Sequence, residues 1–412
     1  MRHVTHLRCV LCGKEYSPHE VTYVCPKHGN EGILDVQYDY GLISKNLTRE
    51  DLAACDEASM WRYKPLLPVE PSCQVSPLRV GWTPLYSSPH LAKALGLHHL
   101  WIKDEGRQPT ASLKDRASAV AVVKAQEVGA ETITTASTGN AAAALSGLCA
   151  SVGQPNVIFV PASAPEAKIA QLLVFGSTVL LVEGSYDDAF ELCLEVSHEY
   201  GWYNRNTAYN PYMTEGKKTV VFEILEQLEW HQPDCIFVPV GDGCIIGGVH
   251  KGLRDLRALG WITTMPRLIG VQAAGSAALY EAWKQGVNPA EIEPIQPHTI
   301  ADSIAAGLPR DRIKAMRAVT ETGGVFMTVT DDEILEAIPA MARGSGVFAE
   351  PAGAAPFAGL VKAIHSGLVR PDERIVLLAT GSGLKDVRAT MRAVKKPRRI
   401  EPSLKAVKSA LR

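Results

Sequence analysis

The stretch CIFVPVGDGCIIGG, residues 235–248, joins a continuous apolar run to a glycine-rich loop and the start of a helix. Continuous apolar runs are typical of strands in a parallel sheet that is covered on both faces. Glycine lets backbone N–H groups approach an anion closely, and a helix that begins directly after the loop favours negative charge at its N-terminus. This segment therefore predicts a buried parallel strand that ends in an anion-binding loop.

Runs of the same kind recur along the chain from about residue 100. They are ETITTAS (131–137), PNVIFVPA (155–162), STVLLVEG (177–184), RLIGVQAAG (267–275) and RIVLLATG (374–381). Between them lie segments with helical spacing of apolar residues, such as KDRASAVAVVKAQEVG (114–129) and SYDDAFELCLEVSHEYG (185–201). Strands that alternate with helices predict an α/β fold built on open parallel sheets.

Length, charge and composition limit the class of protein. The 412 residues predict two or three domains, and a hydrophobic content of 46% is sufficient for a large core. The formal net charge of −2 offers no field that would attract nucleic acid or a membrane surface. A secretory signal is missing, no apolar run reaches the ~18 residues of a membrane span, and the cysteine count is odd. We therefore expect a soluble protein of the reducing cytoplasm, with neither a nucleic-acid nor a membrane partner.

The first 36 residues contain a spacing that is typical of metal sites. Cys9 and Cys12 form a C-x2-C pair, and Cys25 and His28 form a C-x2-H pair twelve residues later. Four such ligands suit a tetrahedral zinc ion, which would supply the stability that so few apolar residues cannot. Because four protein ligands leave no open position, the zinc would be structural. Free cysteines beside a chance histidine are the alternative, and His19 is a possible substitute ligand.

Three of the strand-like runs end in loops of small polar residues, where open parallel sheets bind ligands. The candidate residues are Ser137, Thr138, Gly139 and Asn140 in the first loop, Gly241, Asp242, Gly243, Cys244 and Ile245 in the second, and Thr380 in the third. Ordinary βα turns favour the same residue types, but three such loops together favour a binding site. The second loop matches neither the nucleotide P-loop nor the dinucleotide fingerprint, which favours a small phosphate group over ATP or NAD.

Lys114 lies in GRQPTASLKDRAS (106–118), at the start of a largely apolar helical run. Pyridoxal phosphate requires a lysine that forms a Schiff base with its aldehyde, and backbone N–H donors that hold its phosphate. A helix N-terminus also destabilises the ammonium form of a lysine, which eases imine formation. An isolated lysine in LKDR is more often a surface residue, so this prediction depends on the three loops around it.

Six segments complete the pattern and occur in a fixed order. They are GWTPLY (81–86), KDEGRQPTASLKDR (103–116), STGN (137–140), NPYMTEGKKT (210–219), FAEPAGAA (348–355) and TGSGLKD (380–386). This set resembles the β-family, or fold type II, of pyridoxal-phosphate enzymes and, within it, the threonine synthase family. The resemblance implies two open parallel-sheet α/β domains with the cofactor between them, a small N-terminal zinc-ribbon-like segment, and a homodimer.

The resemblance also implies roles for individual residues. Lys114 would form the Schiff base and move protons at the substrate's α and β carbons, Asn140 would hydrogen-bond the cofactor's ring hydroxyl, and Thr380 would face its pyridine nitrogen. The loop from Gly241 to Ile245 would hold the cofactor phosphate, and Ser137, Thr138 and Gly139 would hold the substrate carboxylate. The implied reaction converts O-phospho-L-homoserine and water to L-threonine and phosphate by γ-elimination and β-addition. Candidate cations for the leaving phosphate are Lys168, which best matches a family motif, and Arg205, Lys217 and Lys218.

The predicted organisation follows from these assignments. A zinc-ribbon-like segment covers residues 1–36, and residues 37–110 are a linker and the first part of a large pyridoxal-phosphate domain. Residues 111–214 form a smaller substrate-binding α/β domain, residues 215–395 complete the large domain, and residues 396–412 are a basic tail.

The sequence departs from the family pattern at several positions. Ser382 replaces a frequent histidine, Ala111 and Leu113 replace a glycine and a phenylalanine, Ala141 replaces a threonine, and Glu191 stands where an arginine often contributes to phosphate binding. The last change keeps other β-family reactions open, namely a serine/threonine ammonia-lyase, a diaminopropionate lyase or a β-replacement enzyme such as cysteate synthase. A regulatory protein with an inactive enzyme body is a further alternative, against which the intact Lys114, Asn140 and Thr380 argue.

Overall fold

The computed structural model describes residues 1–411. The strands are β1 (Val4–Cys9), β2 (Glu15–Tyr16), β3 (Leu34–Tyr38), β4 (Leu85–Ser87), β5 (His99–Asp104), β6 (Ile133–Ala136), β7 (Asn156–Pro161), β8 (Thr178–Val182), β9 (Tyr203–Asn204), β10 (Cys235–Pro239), β11 (Arg267–Ala273), β12 (Val325–Val329) and β13 (Arg374–Ala379). The α-helices are α1 (Tyr40–Ile43), α2 (Arg49–Ala53), α3 (Pro89–Ala94), α4 (Lys114–Glu127), α5 (Asn140–Val152), α6 (Glu166–Val174), α7 (Tyr186–Glu199), α8 (Tyr212–Gln227), α9 (Cys244–Ala258), α10 (Ala278–Gln285), α11 (Arg312–Glu321), α12 (Asp331–Ser345), α13 (Pro351–His365), α14 (Val387–Ala393) and α15 (Leu404–Ala410).

The large sheet has six strands in the order β12-β11-β10-β13-β5-β4. Five of them pair in parallel, whereas β4 pairs antiparallel with β5 at one edge. Every residue of β10 is buried, as expected for a central strand with helices on both faces. The strand order reverses between β10 and β13, and such a switch point opens a crevice for a ligand at the carboxyl ends of the strands.

The small sheet has four parallel strands in the order β8-β7-β6-β9. All six residues of β7 are buried, whereas the edge strand β8 is largely exposed. The chain reaches this sheet through α4, which follows β5, and returns to the large sheet through α8, which packs against both α4 and α9. The loops after β6, β10 and β13 are therefore the elements that face a shared cleft.

A separate antiparallel sheet at the N-terminus has the order β2-β1-β3. It is attached to the rest of the chain by buried polar contacts. Tyr38 at the end of β3 donates to Glu215 of α8 at 2.6 Å, and Lys314 of α11 donates to the Leu34 carbonyl at 3.2 Å. The N-terminal segment is thus part of the same packed structure as the two parallel sheets.

The structure confirms the predicted α/β class, and all six apolar runs form strands. It adds β5 and β12 to the large sheet and an antiparallel edge, β4, that no pattern indicated. β5 escapes detection because its sequence, HLWIKD, ends in two charged residues; Lys103 is fully buried there because it pairs with Glu223 at 2.7 Å. None of the helices among residues 1–411 is long and apolar enough to cross a membrane.

Candidate active site

Lys114 is the first residue of α4 and follows a tight loop that lies against the loop after β13. The Leu113 N–H donates to the Thr380 carbonyl at 2.9 Å, and the Ser382 N–H donates to the Ala111 carbonyl at 3.0 Å. Ala111 adopts the left-handed conformation, with φ of 64°. These bonds bring two motifs that are far apart in the sequence into one wall of the site.

Lys114 faces a small enclosed space, which we call the inner pocket. Asn140, Ile245, Glu350 and Thr380 line it together with Lys114. The predicted lysine thus meets one residue from each of the three predicted loops. Burial lowers the pKa of Lys114, and a lower pKa favours the neutral amine that reacts with an aldehyde.

The glycine loop between β10 and α9 leaves the N-terminus of α9 open. Gly243 adopts φ of 88°, and a Cβ at Gly241 would lie 2.8 Å from Ile304 Cα, so both positions require glycine. No side chain within residues 1–411 caps α9, so the first N–H groups of the helix, at Cys244 and Ile245, are available to an anion. The Asp242 carboxylate, whose pKa burial raises, accepts from the Arg310 N–H at 3.5 Å.

A wider space of about 700 Å³, its open mouth included, adjoins the inner pocket; we call it the outer cleft. Thr138 and Gly139 line it at the N-terminus of α5, where the described chain provides no capping side chain. Ser137 lies behind them, and its Oγ accepts from the Gly139 N–H at 3.2 Å. Lys168 lies at the rim, where it forms an ion pair with Asp302. A helix N-terminus with small polar residues suits a carboxylate.

Two buried cations, Arg205 and Lys217, interact electrostatically with Lys114 behind the walls of the inner pocket and the outer cleft, and neither residue lines those two spaces. The pattern of the sequence did not distinguish them from solvated charges. Arg205 and Lys217 are almost completely inaccessible to solvent. Arg205 donates through Nε to Ser118 Oγ at 3.1 Å and through Nη1 to Thr207 Oγ1 at 3.0 Å, and its Nη2 has no hydrogen-bond partner among residues 1–411. Lys217 Nζ lies 3.4 Å from Thr207 Oγ1. A buried donor without an acceptor is costly, so this pair is suited to an anion that arrives from outside.

Electrostatics supports the same conclusion. Burial, together with repulsion from Lys114 and Arg205, lowers the pKa of Lys217 to about 7. Burial likewise lowers the pKa of Arg205 to about 10. An anion bound between these groups would offset their mutual repulsion and favour their charged forms.

Lys218 and Glu191 lie elsewhere. Lys218 pairs with Glu215 at 2.5 Å and with Asp255 at 2.6 Å, so its charge is already neutralised in a buried cluster. Glu191 lies on the exposed face of α7 and lines neither the inner pocket nor the outer cleft. Its side chain therefore adds no negative charge inside either space.

Glu350 is a buried acid that lines both spaces and that we did not predict as a site residue. It precedes α13, and its Oε1 accepts from Asn140 Nδ2 at 2.8 Å. Burial raises the pKa of Glu350 to about 7. In the sequence, the segment FAEPAGAA contributed only to the resemblance to fold type II enzymes. A linear sequence does not indicate which distant residue a buried acid will contact, so the role of Glu350 in the site was not predicted.

The four predicted metal ligands come together in the N-terminal segment. One ligand atom from each of Cys9, Cys12, Cys25 and His28 lies within 4.8 Å of the others. The hydroxyl of the buried Tyr16 lies 3.0 Å from Cys25 Sγ. Three sulfurs and one imidazole at this spacing are a ligand set that a tetrahedral zinc ion prefers.

The same segment touches the part of the chain that carries Arg205. Ile33, which follows the metal ligands, packs in one cluster with Ala208 and Cys244. The Tyr23 hydroxyl accepts from the Asn204 N–H at 2.8 Å, and the Tyr23 ring stacks on Tyr209 with centroids 4.8 Å apart. The metal-ligand segment therefore supports residues 204–209 from outside.

Comparison with known proteins agrees with this arrangement. A family model described as pyridoxal-phosphate dependent enzyme matches residues 77–381. The chain is 38% identical to the threonine synthase of Methanocaldococcus jannaschii, with 98% of this chain and 99% of that protein covered. It is 39% identical to the threonine synthase of Methanosarcina acetivorans over 98% of each chain, and 37% identical to that of Synechocystis sp. over 80% of this chain and 85% of the relative.

Solved structures show the same fold at lower sequence identity. Threonine deaminase isoform 2 from Solanum lycopersicum superposes with a TM-score of 0.64 at 24% identity and covers 76% of this chain and 87% of its own. Diaminopropionate ammonia lyase from Escherichia coli superposes with a TM-score of 0.65 at 18% identity, over the same shares of the two chains. These similarities establish the fold type II architecture. Because the family model and the full-length relatives add the sequence match, the chain belongs to the threonine synthase family of pyridoxal-phosphate dependent enzymes.

Proposed function

We propose that this protein is a pyridoxal-phosphate dependent lyase that converts O-phospho-L-homoserine and water to L-threonine and phosphate. The observation that carries the choice of substrate is the buried pair Arg205 and Lys217 beside Lys114. A cationic subsite next to the reactive lysine suits a substrate whose leaving group is a phosphate. Family membership supports the class of reaction, and the pair supports the phosphorylated substrate within that class.

The residues present fit the cofactor. The uncapped N-terminus of α9, with Gly241, Gly243, Cys244 and Ile245, would hold the phosphate of pyridoxal phosphate. Thr380 would meet its ring nitrogen and Asn140 its ring hydroxyl, since both line the inner pocket with Lys114. When bound, the cofactor forms an imine with amines and accepts electron density from the substrate's α carbon.

The chain's own groups would then perform the proton transfers. Lys114, whose pKa is lowered by burial, is able to take a proton from the α or β carbon and to return it later. The N-terminus of α5, with Ser137, Thr138 and Gly139, would hold the substrate carboxylate in the outer cleft. This placement fixes which face of the substrate meets Lys114.

The leaving phosphate would be bound by Arg205 and Lys217. The unpartnered Arg205 Nη2 and the Lys217 ammonium provide N–H donors for phosphate oxygens. Lys168, which pairs with Asp302 at the rim of the outer cleft, would attract the dianionic substrate. In their charged forms, which a bound anion favours, Arg205 and Lys217 would stabilise the charge that develops as the carbon–oxygen bond breaks.

Product analysis tests this function. The holoenzyme is incubated with O-phospho-L-homoserine, and the phosphate and threonine that form are measured. Parallel assays use serine, threonine and phosphoserine as substrates. Equal release of phosphate and threonine, abolished in Lys114→Ala, is the expected result. Pyruvate or 2-oxobutanoate from the other substrates, without turnover of O-phospho-L-homoserine, would instead establish an ammonia-lyase.

We also propose a structural zinc ion at Cys9, Cys12, Cys25 and His28. The mutual spacing of the four ligand atoms supports it. The Tyr16 hydroxyl would donate to the Cys25 thiolate and stabilise its charge. With four protein ligands, such an ion would take no part in the reaction.

A homodimer in the cytoplasm completes the proposal. The dimer follows from the resemblance to fold type II enzymes, and light scattering of the purified protein tests it. The cytoplasm is supported by the nine cysteines, none of which forms a disulfide within residues 1–411.

A further inference from the structure

Glu350 is held in place by its own backbone and by a neighbouring glycine. The Glu350 N–H donates to the Gly381 carbonyl at 3.1 Å, and Ala349 pairs with Ser382 in an antiparallel bridge. A Cβ at Gly381 would lie 2.5 Å from Glu350 Oε1. Because Gly381 has no side chain, the loop that carries Thr380 leaves room for the Glu350 carboxylate.

The contact with Asn140 has a direction. The two ends of an asparagine amide have nearly the same shape, so its orientation is decided by hydrogen-bond partners. An ionised carboxylate only accepts hydrogen bonds, so Glu350 Oε1 requires the Nδ2 end of Asn140, at 2.8 Å. The second Nδ2 proton then remains for the inner pocket, where the nearest partner, Ser303 Oγ, lies at a long 3.4 Å.

We propose that Glu350 is a positioning residue, which turns the Asn140 amide so that Nδ2–H, and not Oδ1, faces the ring oxygen of the cofactor. The proposal rests on the cofactor placement given above. When the cofactor's ring hydroxyl is ionised, its oxygen carries negative charge, so an N–H donor stabilises it and an amide oxygen would repel it. Glu350 acts through Asn140 and needs no contact with the substrate.

The surrounding charges are consistent with an ionised Glu350 in the loaded enzyme. Lys385 from the segment after β13 and Lys168 from α6 act to stabilise the carboxylate against the cost of its burial, and so does the hydrogen bond from Asn140. Lys114 acts in the same direction only in the cofactor-free chain, because it would be joined to the cofactor in the loaded enzyme. The acceptor that orients the amide is therefore available when the cofactor is bound.

A double-mutant cycle on cofactor affinity tests the proposal. The dissociation constant of pyridoxal phosphate is measured for the wild type, Glu350→Ala, Asn140→Ala and the double variant, by absorbance titration of protein from which the cofactor has been removed. We expect each single variant to bind about tenfold more weakly, the effect of one buried hydrogen bond to a charged group. The double variant should bind no more weakly than Asn140→Ala, because Glu350 acts through Asn140.

Additional variants separate orientation from charge and from folding. Glu350→Gln retains an acceptor oxygen and should keep nearly wild-type affinity. Glu336→Gln removes a carboxylate from an exposed position of α12, away from the inner pocket and the outer cleft, and should do the same. Glu350→Met fills the volume without an acceptor and replaces the alanine variant if that variant does not fold. Single effects that multiply in the double variant, unchanged affinity in Glu350→Ala, or a Gln variant as weak as Ala would each overturn the proposal. None of these readouts depends on the substrate, so a failure here is distinct from a failure of the proposed reaction.

Discussion

Arg205 and Lys217 converge on one hydroxyl oxygen, Thr207 Oγ1, which lies 3.0 Å from Arg205 Nη1 and 3.4 Å from Lys217 Nζ. Two cations around one neutral oxygen leave an excess of positive charge in a buried place. Such an arrangement is unfavourable unless an anion is bound there during the reaction. It distinguishes these residues from Lys218, which is neutralised by Glu215 and Asp255.

Removal of either Arg205 or Lys217 should weaken binding of the substrate and leave binding of the cofactor unchanged. We expect Arg205→Met and Lys217→Met to raise KM for O-phospho-L-homoserine by about tenfold or more, the loss of a charged hydrogen bond in a buried site. The dissociation constant of pyridoxal phosphate should stay unchanged. Steady-state kinetics measures KM, and cofactor titration measures the dissociation constant.

The matched control is Lys362→Met on α13, an exposed lysine whose Nζ donates to the Thr328 carbonyl. This variant also removes one positive charge, but at a position distant from the inner pocket and the outer cleft, so KM should be unchanged. If the two site variants weaken the cofactor instead of the substrate, Arg205 and Lys217 belong to the cofactor phosphate and the substrate assignment loses its support.

The pH dependence should report on Lys217. Its pKa is lowered to about 7 by burial and by the neighbouring Lys114 and Arg205, whereas Asp311 and Cys244 act in the opposite direction. A lysine is cationic below its pKa, so phosphate binding should be strongest below about pH 7 and weaken as pH rises through that value. We expect kcat/KM, which reports on the free enzyme, to fall over this range.

Two variants assign the titration. In Lys217→Met this fall should disappear, because no proton is lost there. In Lys217→Arg the charge persists at high pH, so kcat/KM should lose its dependence on this group while remaining higher than in the methionine variant. A profile in Lys217→Met that still follows the wild type would mean that another group titrates.

Ala111 is expected to be strained, because its φ of 64° lies in the left-handed region that side chains disfavour. Ala111→Gly should stabilise the protein by about 0.5–1 kcal/mol, the relief of strain less the extra freedom glycine has in the unfolded chain. Denaturant unfolding measures the change. Ala150→Gly, at an exposed position in α5, is a control with the opposite sign and should lower the free energy of unfolding by about 1 kcal/mol.

Loss of the metal should loosen the phosphate subsite. We expect about one zinc per chain by metal analysis, and loss of that zinc in Cys12→Ala. Because Tyr23 and Ile33 hold residues 204–209, the metal-free protein should have a lower melting temperature and a higher KM for O-phospho-L-homoserine. Cys55→Ala changes a cysteine outside the ligand set and should retain both zinc and KM. Full zinc in Cys12→Ala would exclude the proposed site.

The α/β class and the cluster of Cys9, Cys12, Cys25 and His28 were accessible from the sequence because both depend on local patterns. Buried parallel strands are apolar over their whole length, and four ligands in two short pairs are confined by the chain itself. The identity of Lys114 as the reactive lysine was likewise predicted from motifs in a fixed order. The strand β5 was missed because Lys103 and Asp104 interrupt its apolar pattern, and only the distant Glu223 makes Lys103 tolerable inside.

What the sequence by itself determined is that six apolar runs become strands, which loops end them and which family the chain resembles. Only the tertiary structure decided that Arg205 and Lys217 are buried with no carboxylate partner among residues 1–411, that Lys218 has two such partners, and that Glu350 meets Asn140. The physical reason is that burial and pairing depend on residues brought together from distant parts of the chain. A lysine looks the same in the sequence whether a carboxylate, a hydroxyl or a substrate phosphate will be its neighbour.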